Sequence, residues 1–407
     1  MPGGESGVWP AVRPASSTYE LLRNALSVSP ERIALTMLPT GNPDDGDIRI
    51  SRGEFLERIN RSANLFASLG VGSKSSVATL LPSGIDALVA IVSAQAAGIA
   101  APVNPLLQID EIEHLVRLAG SHILVASSDP ELGIWPKAEE LARRIAGLRI
   151  FSVGPRQPGV DDFGNSSAAH PGDRLAFTRT VAPGDIAAYI HTGGTTGLPK
   201  LASLTHDNFI YGAWAQSRLW SFGPDDVILS ALPLFHVSGL ATLAMVPLSV
   251  GAEVVFLSPS GFRNPQIVAN FWRIVEKYRG SFSAFVPTIA HMLTMVPSTG
   301  ADLSSLRTIM IGGAAAPADT IVRLKQHVPA RIVTTYGQTE CLTGTGSSPE
   351  EELNPLSSGR TTPLMEVAVR PRDGKGGNLP AGEPGTIVMK GPAVFAGYKD
   401  QPRGDSW

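Results

Sequence analysis

The chain has 407 residues, of which 43% are hydrophobic, and its 33 Lys and Arg against 36 Asp and Glu give a net charge of -3. The charges form no basic block, which argues against nucleic-acid binding because nucleic-acid-binding proteins usually carry clustered Lys and Arg. Cys341 is the single cysteine, so an intrachain disulfide framework and a multi-cysteine zinc site are excluded. Together with an N-terminus that lacks a signal-peptide pattern, this predicts a cytoplasmic protein that handles small molecules.

Two apolar stretches, 87–103 and 239–257, resemble membrane spans at first sight. The first is shorter than the ~20 residues that a membrane-spanning helix needs. The second is interrupted by Pro247, Gly251 and Glu253. Each stretch is therefore predicted to be a buried helix followed by a strand, with no membrane span.

The predicted elements of the first half alternate between helices and strands. Residues 51–69 place apolar side chains at helical spacing with charges between them, and Gly70 ends the pattern. Further helices are predicted at 85–97, 110–119 and 136–146, and strands at 75–82, 122–127 and 148–153. This alternation predicts a mostly parallel sheet with helices on both faces.

A second alternating region follows residues 154–184, whose Pro, Gly, Ser and Asp content predicts a surface connection. Its predicted strands lie at 186–190, 227–232, 252–257, 283–287, 308–313 and 331–337, with helices at 264–278 and 318–327. Beyond residue 340, short segments at 366–370 and 385–390 predict a small antiparallel β unit. The predicted fold is therefore α/β, with doubly wound subdomains at 1–184 (including the connection) and 185–340 and a small β unit at 341–407.

A glycine-rich loop, HTGGTTGLPK at 191–200, follows the strand predicted at 186–190. Such loops bind phosphate because glycine lets several backbone N–H groups converge on one anion, with hydroxyls and a lysine completing the site. The loop supplies these groups as Thr192, Thr195, Thr196 and Lys200. The sequence therefore predicts a phosphate-binding loop.

Three other interpretations of this loop fit the sequence less well. A Walker A loop needs Gly directly before the Lys, whereas Leu198 and Pro199 precede Lys200. Gly193 to Gly197 has the spacing of a nucleophile elbow with threonine in the place of serine, which is unusual for a hydrolase. A flexible surface turn is the third alternative, and the threonines and the lysine among the glycines argue against it.

A second motif, TTYGQTE at 334–340, follows the strand predicted to begin at 331. It combines an aromatic ring that can stack on a base, a hydroxyl that can bind phosphate and a carboxylate that can hold Mg2+. With LPLFHVSGL at 232–240 and MIGGAAAP at 310–317, the order and spacing of the motifs resemble the acyl-CoA synthetases of the adenylate-forming superfamily. The resemblance extends from the helix near Glu54 to the end of the chain, and it implies that the small β unit is β-barrel-like.

The resemblance implies roles for individual residues. The implied ATP- and AMP-binding residues are Thr192, Gly193, Gly194, Thr195, Thr196, Gly197, Lys200, Gly313, Ala314, Ala315, Thr335, Tyr336, Gly337, Gln338 and Thr339. The implied acyl-binding residues are His236, Val237, Gly312, Gly313 and Gly337. The implied catalytic residues are Lys200, His236, Thr339 and Glu340, of which Glu340 is also the Mg2+ ligand.

The reaction implied is the activation of a carboxylic acid by ATP and its transfer to coenzyme A, in fatty or aromatic acid metabolism. An adenylation domain that loads a carrier protein is an alternative. However, the segment FHVSGL lacks the Asp with which such domains bind an amino group. A module that binds acyl-adenylate without making it is a second alternative, and a homodimer is left open.

Two departures from the family pattern bear on activity. Gly193 stands where a serine is usual and Leu201 where a glycine is usual, so one phosphate-binding hydroxyl is missing. The family also continues beyond the DSW at 405–407 into a ribose-binding element and a small domain with a catalytic lysine. The sequence therefore predicts that these 407 residues bind acyl-adenylate but form acyl-CoA slowly or not at all.

Overall fold

Two large sheets organise the chain. The computed structural model describes residue 9 and residues 13–193, 198–373 and 375–401. Within these ranges the sheets have seven and nine strands, and a separate pair of strands forms a third, small sheet. No helix in the described ranges is long and apolar enough to cross a membrane.

The helices and strands have the following bounds. The α-helices are α1 (Thr18–Leu26), α2 (Arg52–Ser68), α3 (Ile85–Ala97), α4 (Ile109–Ala119), α5 (Trp135–Arg144), α6 (Phe163–Ala168), α7 (His206–Leu219), α8 (Val246–Leu248), α9 (Pro265–Tyr278), α10 (Pro287–Leu293) and α11 (Ala318–His327). A π-helix, Ser238–Met245, leads directly into α8. Short 3-10 helices lie at Pro43–Asp45, Pro130–Leu132 and Gly261–Arg263. The strands are β1 (Ile33–Met37), β2 (Ile48–Ser51), β3 (Ser76–Leu80), β4 (Ile99–Pro102), β5 (Ser121–Ser127), β6 (Arg149–Val153), β7 (Asp161–Asp162), β8 (Ile186–Thr192), β9 (Lys200–Thr205), β10 (Val227–Ser230), β11 (Glu253–Phe256), β12 (Phe282–Phe285), β13 (Thr308–Ile311), β14 (Arg331–Gln338), β15 (Leu342–Gly346), β16 (Arg360–Thr361), β17 (Glu366–Arg370) and β18 (Thr386–Lys390).

The seven-stranded sheet has the order β7-β6-β5-β3-β4-β8-β9. All its neighbouring strands are parallel except β8 and β9, which form an antiparallel hairpin around the glycine-rich loop. The register of that hairpin sets Thr192 opposite Lys200. The two ends of the loop are thus fixed by strand pairing.

The nine-stranded sheet has the order β16-β15-β14-β13-β12-β10-β11-β1-β2. Its centre, from β14 to β1, is parallel, whereas β15, β16 and β2 add antiparallel edges. Parallel strands present their carboxyl ends at one edge of the sheet. The segments that follow β10, β13 and β14 therefore share an edge, and these segments carry three of the four sequence motifs.

Helices cover both sheets in layers. α4 and α5 pack on the outer face of the seven-stranded sheet, while α10 and α11 pack on the nine-stranded sheet. α3 contacts strands of both sheets and is buried everywhere except at Asp86, as expected for an apolar helix in a central layer. α2, α7 and the π-helix contribute to the same central core.

Most elements predicted from the sequence are confirmed to within two residues at each end. The two apolar stretches are helix followed by strand, as predicted: α3 with β4, and the π-helix and α8 with β11. The surface connection predicted at 154–184 is wrong for part of its length, because β7 and α6 lie within it. Phe163 of α6 is buried and stacks on Phe66 with 5.7 Å between ring centroids. Phe66 and Phe163 are about a hundred residues apart in the sequence. The contact between them therefore produces no local periodicity from which α6 could have been predicted.

The sheets do not follow the boundaries predicted from the sequence. β8 and β9 lie beyond residue 184 but extend the first sheet, because β8 pairs with β4 at Ala188 and Ala100. Conversely, β1 and β2 lie near the N-terminus but complete the nine-stranded sheet. In the region after 340, β17 and β18 form the predicted antiparallel pair, while β15 and β16 continue the large sheet. The division into three units remains a prediction.

Candidate active site

A cavity of about 480 Å³ opens at the carboxyl ends of β13 and β14. Its wall contains six of the residues expected to bind nucleotide: Gly313, Ala314, Ala315, Thr335, Tyr336 and Gly337. The opposite wall is formed by residues 355–358. Tyr336 is half-buried, and this burial raises the pKa of its hydroxyl above the ordinary value, so the ring stays neutral. A flat, uncharged ring against small residues is a suitable site for a purine base.

Glycines shape this cavity because a larger residue would collide with neighbouring atoms or strain the backbone. A Cβ at Gly337 would lie 1.9 Å from the Leu342 carbonyl oxygen, and one at Gly312 would lie 2.6 Å from Thr335 Cγ2. Gly313 has φ +82°, in the left-handed region that favours glycine. The glycines of both motifs are thus required by the fold of the wall itself.

The carboxyl end of β14 turns sharply into β15. The Cys341 N–H donates to the Gln338 carbonyl at 3.1 Å, and this turn leaves Thr339 buried and Glu340 half-buried. Gln338 is exposed. The turn therefore holds Glu340 half-buried and close enough to Tyr336 of the cavity wall for its charge to add to the effect of burial on the Tyr336 pKa.

Tyr398 joins the two charged residues predicted to act on phosphate. Its hydroxyl donates to Glu340 Oε1 at 2.6 Å, and the Lys200 Nζ lies 4.8 Å from the centroid of its ring. Burial, followed by the bond to Glu340, raises the pKa of Tyr398 far above its ordinary value. The hydroxyl therefore remains a donor to the carboxylate at all physiological pH values.

Backbone pairing holds Tyr398 in place. The Ala396 N–H donates to the Ser203 carbonyl, and the Ser203 N–H donates to the Gly397 carbonyl, both at 2.9 Å. The Lys399 N–H donates to the Leu201 carbonyl at 2.8 Å. Residues 396–399 thus line the edge strand β9 next to Lys200. The sequence did not single out Tyr398, since its partners lie far away along the chain.

Two histidines lie at the start of the glycine-rich loop and in the segment after β10. His236 is exposed, and its Nδ1 accepts the Ser238 N–H at 3.2 Å. Desolvation lowers the pKa of His236, while the nearby Glu340 carboxylate opposes part of this shift. The ring is therefore neutral near pH 7, with its proton on Nε2. Val237, the next predicted acyl-binding residue, is buried.

His191, which the sequence did not assign to the site, stacks on Phe235 with 5.8 Å between ring centroids. Its Nε2 accepts the Asn104 N–H at 3.2 Å, which assigns the ring proton to Nδ1. Burial, with a smaller contribution from His236, lowers the pKa of His191 to about 4. This stack joins the end of β8 to the segment that carries His236. The position of His191 next to the glycines of the loop was the one sequence signal that could have assigned it to the site. Its stacking partner, Phe235, is revealed only by the fold.

The glycine-rich loop is described only at its ends. Gly194, Thr195, Thr196 and Gly197 lie outside the described residues. Thr192 is half-buried at the end of β8, and Gly193 is exposed, with nothing within 4 Å of a Cβ built on it.

The donor groups fit a metal that is held mainly by its nucleotide. Among the described residues, no cluster of three or more His, Cys, Asp or Glu could hold an ion by itself. Mg2+ typically takes one or two carboxylates and completes its shell with phosphate oxygens and water. Glu340, as a single carboxylate beside Lys200 and the loop, is consistent with that arrangement.

Taken together, the two parallel-rich sheets and the residues at their edges define a nucleotide-binding domain of the adenylate-forming type. The chain belongs to the AMP-binding enzyme family, whose sequence profile matches residues 22–399. The predicted resemblance to AMP-forming acyl-CoA synthetases is thereby confirmed.

Individual relatives are CoA ligases. The chain is 31% identical over 382 residues to the marinolic acid–CoA ligase of Pseudoalteromonas sp. (strain SANK 73390), a match covering 90% of this chain and 58% of that protein. ATP-bound MatB from Rhodopseudomonas palustris superposes with a TM-score of 0.80 at 27% identity, covering 95% of this chain and 72% of MatB. An anthranilate CoA ligase in complex with anthranoyl-AMP has the same fold, with a TM-score of 0.85 at 21% identity, and the match covers 95% of this chain and 71% of that protein.

Proposed function

We propose that this chain carries the nucleotide and acyl sites of an ATP-dependent carboxylic acid:CoA ligase, which forms an acyl-adenylate and then an acyl-CoA thioester. The observation that carries the proposal is a base-sized cavity lined by Tyr336, close to which lies Glu340, itself linked through Tyr398 to Lys200. The membership of the AMP-binding enzyme family and the CoA-ligase relatives support it.

In the first half-reaction, a carboxylate oxygen of the acid attacks the α-phosphorus of ATP, and the bond to pyrophosphate breaks. Tyr336 and the glycine walls hold the adenine, while Lys200 and the threonines of the loop face the phosphates. Mg2+, when bound, would neutralise negative charge on the phosphate oxygens. Preorganised charges of this kind usually contribute the largest single share of rate acceleration.

The acid is proposed to lie beside His236, Val237 and the glycines at 312, 313 and 337. A neutral His236 with its proton on Nε2 can donate a hydrogen bond to the substrate carboxylate without neutralising the nucleophile. In the second half-reaction, the thiol sulfur of coenzyme A attacks the acyl carbon, and AMP leaves with the electrons of the acyl–phosphate bond.

Two measurements test the proposal. Calorimetric titration of the chain with AMP and with an acyl sulfamoyladenosine, a non-hydrolysable acyl-AMP analogue, is expected to show binding of both. Tyr336→Ala is expected to weaken both by roughly tenfold, the usual effect of losing one base–ring stack. No binding of either ligand by the folded wild-type chain would refute the nucleotide site.

A second candidate, an acyl-adenylate-binding module without ligase activity, is favoured by Gly193, which supplies no hydroxyl to the loop. Pyrophosphate release from ATP with a panel of carboxylic acids separates the two. The ligase proposal expects acid-dependent release, whereas a pure binding module holds the analogue and releases none.

A further inference from the structure

The segment 392–399 holds Glu340 at two points. The Phe395 N–H donates to the Glu340 carbonyl at 2.9 Å, and the Tyr398 hydroxyl donates to Glu340 Oε1 at 2.6 Å. The first bond holds the backbone of Glu340, and the second holds its side chain. A carboxylate that is fixed in both ways has little freedom to rotate, and it is ordered before any ligand binds.

Packing in turn fixes the ring of Tyr398. The ring lies edge-on against the buried Phe395, with 5.0 Å between ring centroids. Asn208 of α7 is also buried, and its Nδ2 donates to the carbonyls of Pro392 and Val394 at 2.8 and 3.0 Å. Together with the backbone pairing to β9, these contacts attach the segment to two elements of the core. The Tyr398 hydroxyl therefore has a defined position from which it can orient the carboxylate.

The hydrogen bond from Tyr398 occupies one oxygen of the Glu340 carboxylate. Its length of 2.6 Å is typical of a hydroxyl that donates to a charged oxygen. No described residue donates to the other oxygen, Oε2, which is therefore available to a ligand. Carboxylates that bind a metal are usually oriented by a hydrogen bond from a neighbouring residue, and removal of that residue typically weakens metal binding by about 10- to 100-fold.

Lys200 contacts the same tyrosine through the face of its ring. Its Nζ lies 4.8 Å from the ring centroid, a distance at which an ammonium group is attracted to an aromatic face. This attraction depends on the ring and not on the hydroxyl. Replacing Tyr398 by Phe would therefore keep the contact with Lys200 and the packing on Phe395, and it would remove the bond to Glu340.

We propose that Tyr398 is a positioning residue for Mg2+: its hydroxyl orients the Glu340 carboxylate and leaves Oε2 free to bind the ion that accompanies ATP. The inference rests on the proposed ligase function and extends it to a residue outside the four sequence motifs. Tyr398 acts through Glu340 and does not itself bind the ion.

The test compares the binding of ATP with and without Mg2+. Calorimetric titration of the 407-residue chain with ATP, first in Mg2+ and then in EDTA, gives two dissociation constants, and their ratio measures the coupling between ion and nucleotide. The wild-type chain is expected to bind ATP more tightly in Mg2+. Tyr398→Phe is expected to weaken binding in Mg2+ by about tenfold, while the affinity for ATP in EDTA and the affinity for AMP stay close to wild type.

Tyr278 supplies the matched control. Its hydroxyl also donates to a carboxylate, Asp47 Oδ2 at 2.9 Å, but neither residue belongs to a sequence motif. Tyr278→Phe is therefore expected to keep the wild-type ratio. An unchanged ratio in Tyr398→Phe would overturn the proposal and show that the bond to Glu340 is structural. A larger ratio would also overturn it, because the hydroxyl would then compete with the ion for the carboxylate.

Combining Tyr398→Phe with Glu340→Ala tests the route of action. Glu340→Ala alone is expected to remove the effect of Mg2+ on ATP affinity, and adding Tyr398→Phe is expected to cause no further loss, since the hydroxyl acts through the carboxylate. A further loss in the double variant would contradict that route. An effect of Mg2+ that survives Glu340→Ala would refute the metal-binding role of Glu340, and this inference with it. Failure of the wild-type chain to bind ATP and AMP would instead refute the proposed function itself.

Discussion

The edges of the two sheets contribute different physical properties to the site. At the nine-stranded sheet, the cavity is defined by steric constraints, since residues 313–315 of its wall are small and a Cβ at Gly337 would collide with the Leu342 carbonyl oxygen. At the seven-stranded sheet, the contribution is charge, since Lys200 begins β9 and meets Glu340 through Tyr398. The proposed base binding therefore depends on an intact wall, whereas the proposed phosphate chemistry depends on two charges, Lys200 and Glu340, which the neutral Tyr398 links across three distant segments.

The largest expected effect comes from breaking the wall. Gly337→Ala would place a methyl group 1.9 Å from the Leu342 carbonyl, so the turn into β15 must move. A clash with backbone is expected to lower the free energy of unfolding by about 3 kcal/mol and to abolish AMP binding. Urea unfolding measures this loss. Gly193→Ala is the control, because a Cβ there meets nothing within 4 Å, and it should leave stability unchanged.

Removing charge should give a different result. Glu340→Ala is expected to slow pyrophosphate release by ~100-fold or more, in a version of the protein with measurable activity, while AMP affinity and thermal stability stay close to wild type. Glu350→Ala removes an exposed carboxylate and serves as the control. Near-wild-type release by a well-folded Glu340→Ala protein would contradict the metal-binding role.

Lys200→Ala sharpens the comparison within the charged region. Its ammonium is proposed to serve phosphates beyond the α position, so ATP affinity is expected to fall by about tenfold and acyl sulfamoyladenosine affinity by less than threefold. Lys325→Ala, on α11, is the matched control. An equal loss of affinity for both ligands would contradict this role and would indicate that Lys200 contacts the α-phosphate instead.

The smallest expected effect is a pH dependence at the junction of the two edges. The folded pKa of His191 is about 4, below the ordinary value of 6.5, because the buried ring resists protonation. The unfolded chain therefore binds more protons between these values, and stability present above pH 6.5 is lost as the pH falls toward 4. His191→Phe retains the stack on Phe235 and is expected to reduce the loss between pH 7 and pH 5 by about 1–2 kcal/mol. Urea unfolding at both pH values measures it, and identical losses in the two proteins would contradict the burial argument.

The sequence predicted the strands and the motif residues of the cavity because both depend on local patterns. Glycines at 312–313 and 337 follow the apolar runs and lie within one residue of the ends of β13 and β14, and parallel pairing then brings those ends together. The bridge between Lys200, Tyr398 and Glu340 was not predictable in this way. It depends on backbone pairing between residues almost two hundred positions apart, for which no local pattern exists.

The burial of individual polar side chains could not be predicted from the sequence either. Gln216 lies in a helix with mixed composition, and only its packing on β15 reveals an amide without partners. His191 is adjacent to a recognised motif, yet its neutral state follows from Phe235 and Asn104, which belong to other elements. In both cases the chemistry of a side chain was set by tertiary contacts rather than by its neighbours in sequence.

The pairing of residues 396–399 with β9 has a further consequence for hydrogen exchange. The amides of Ser203, Ala396 and Lys399 are protected only while this short ladder is closed, so they should open and exchange as one cooperative unit. The Phe395 N–H donates to the Glu340 carbonyl at 2.9 Å, so this hydrogen bond connects Glu340 to the same cooperative unit. A ligand that binds between Lys200 and Glu340 is expected to slow the exchange of these amides, so their exchange rates would report the occupancy of the proposed phosphate site.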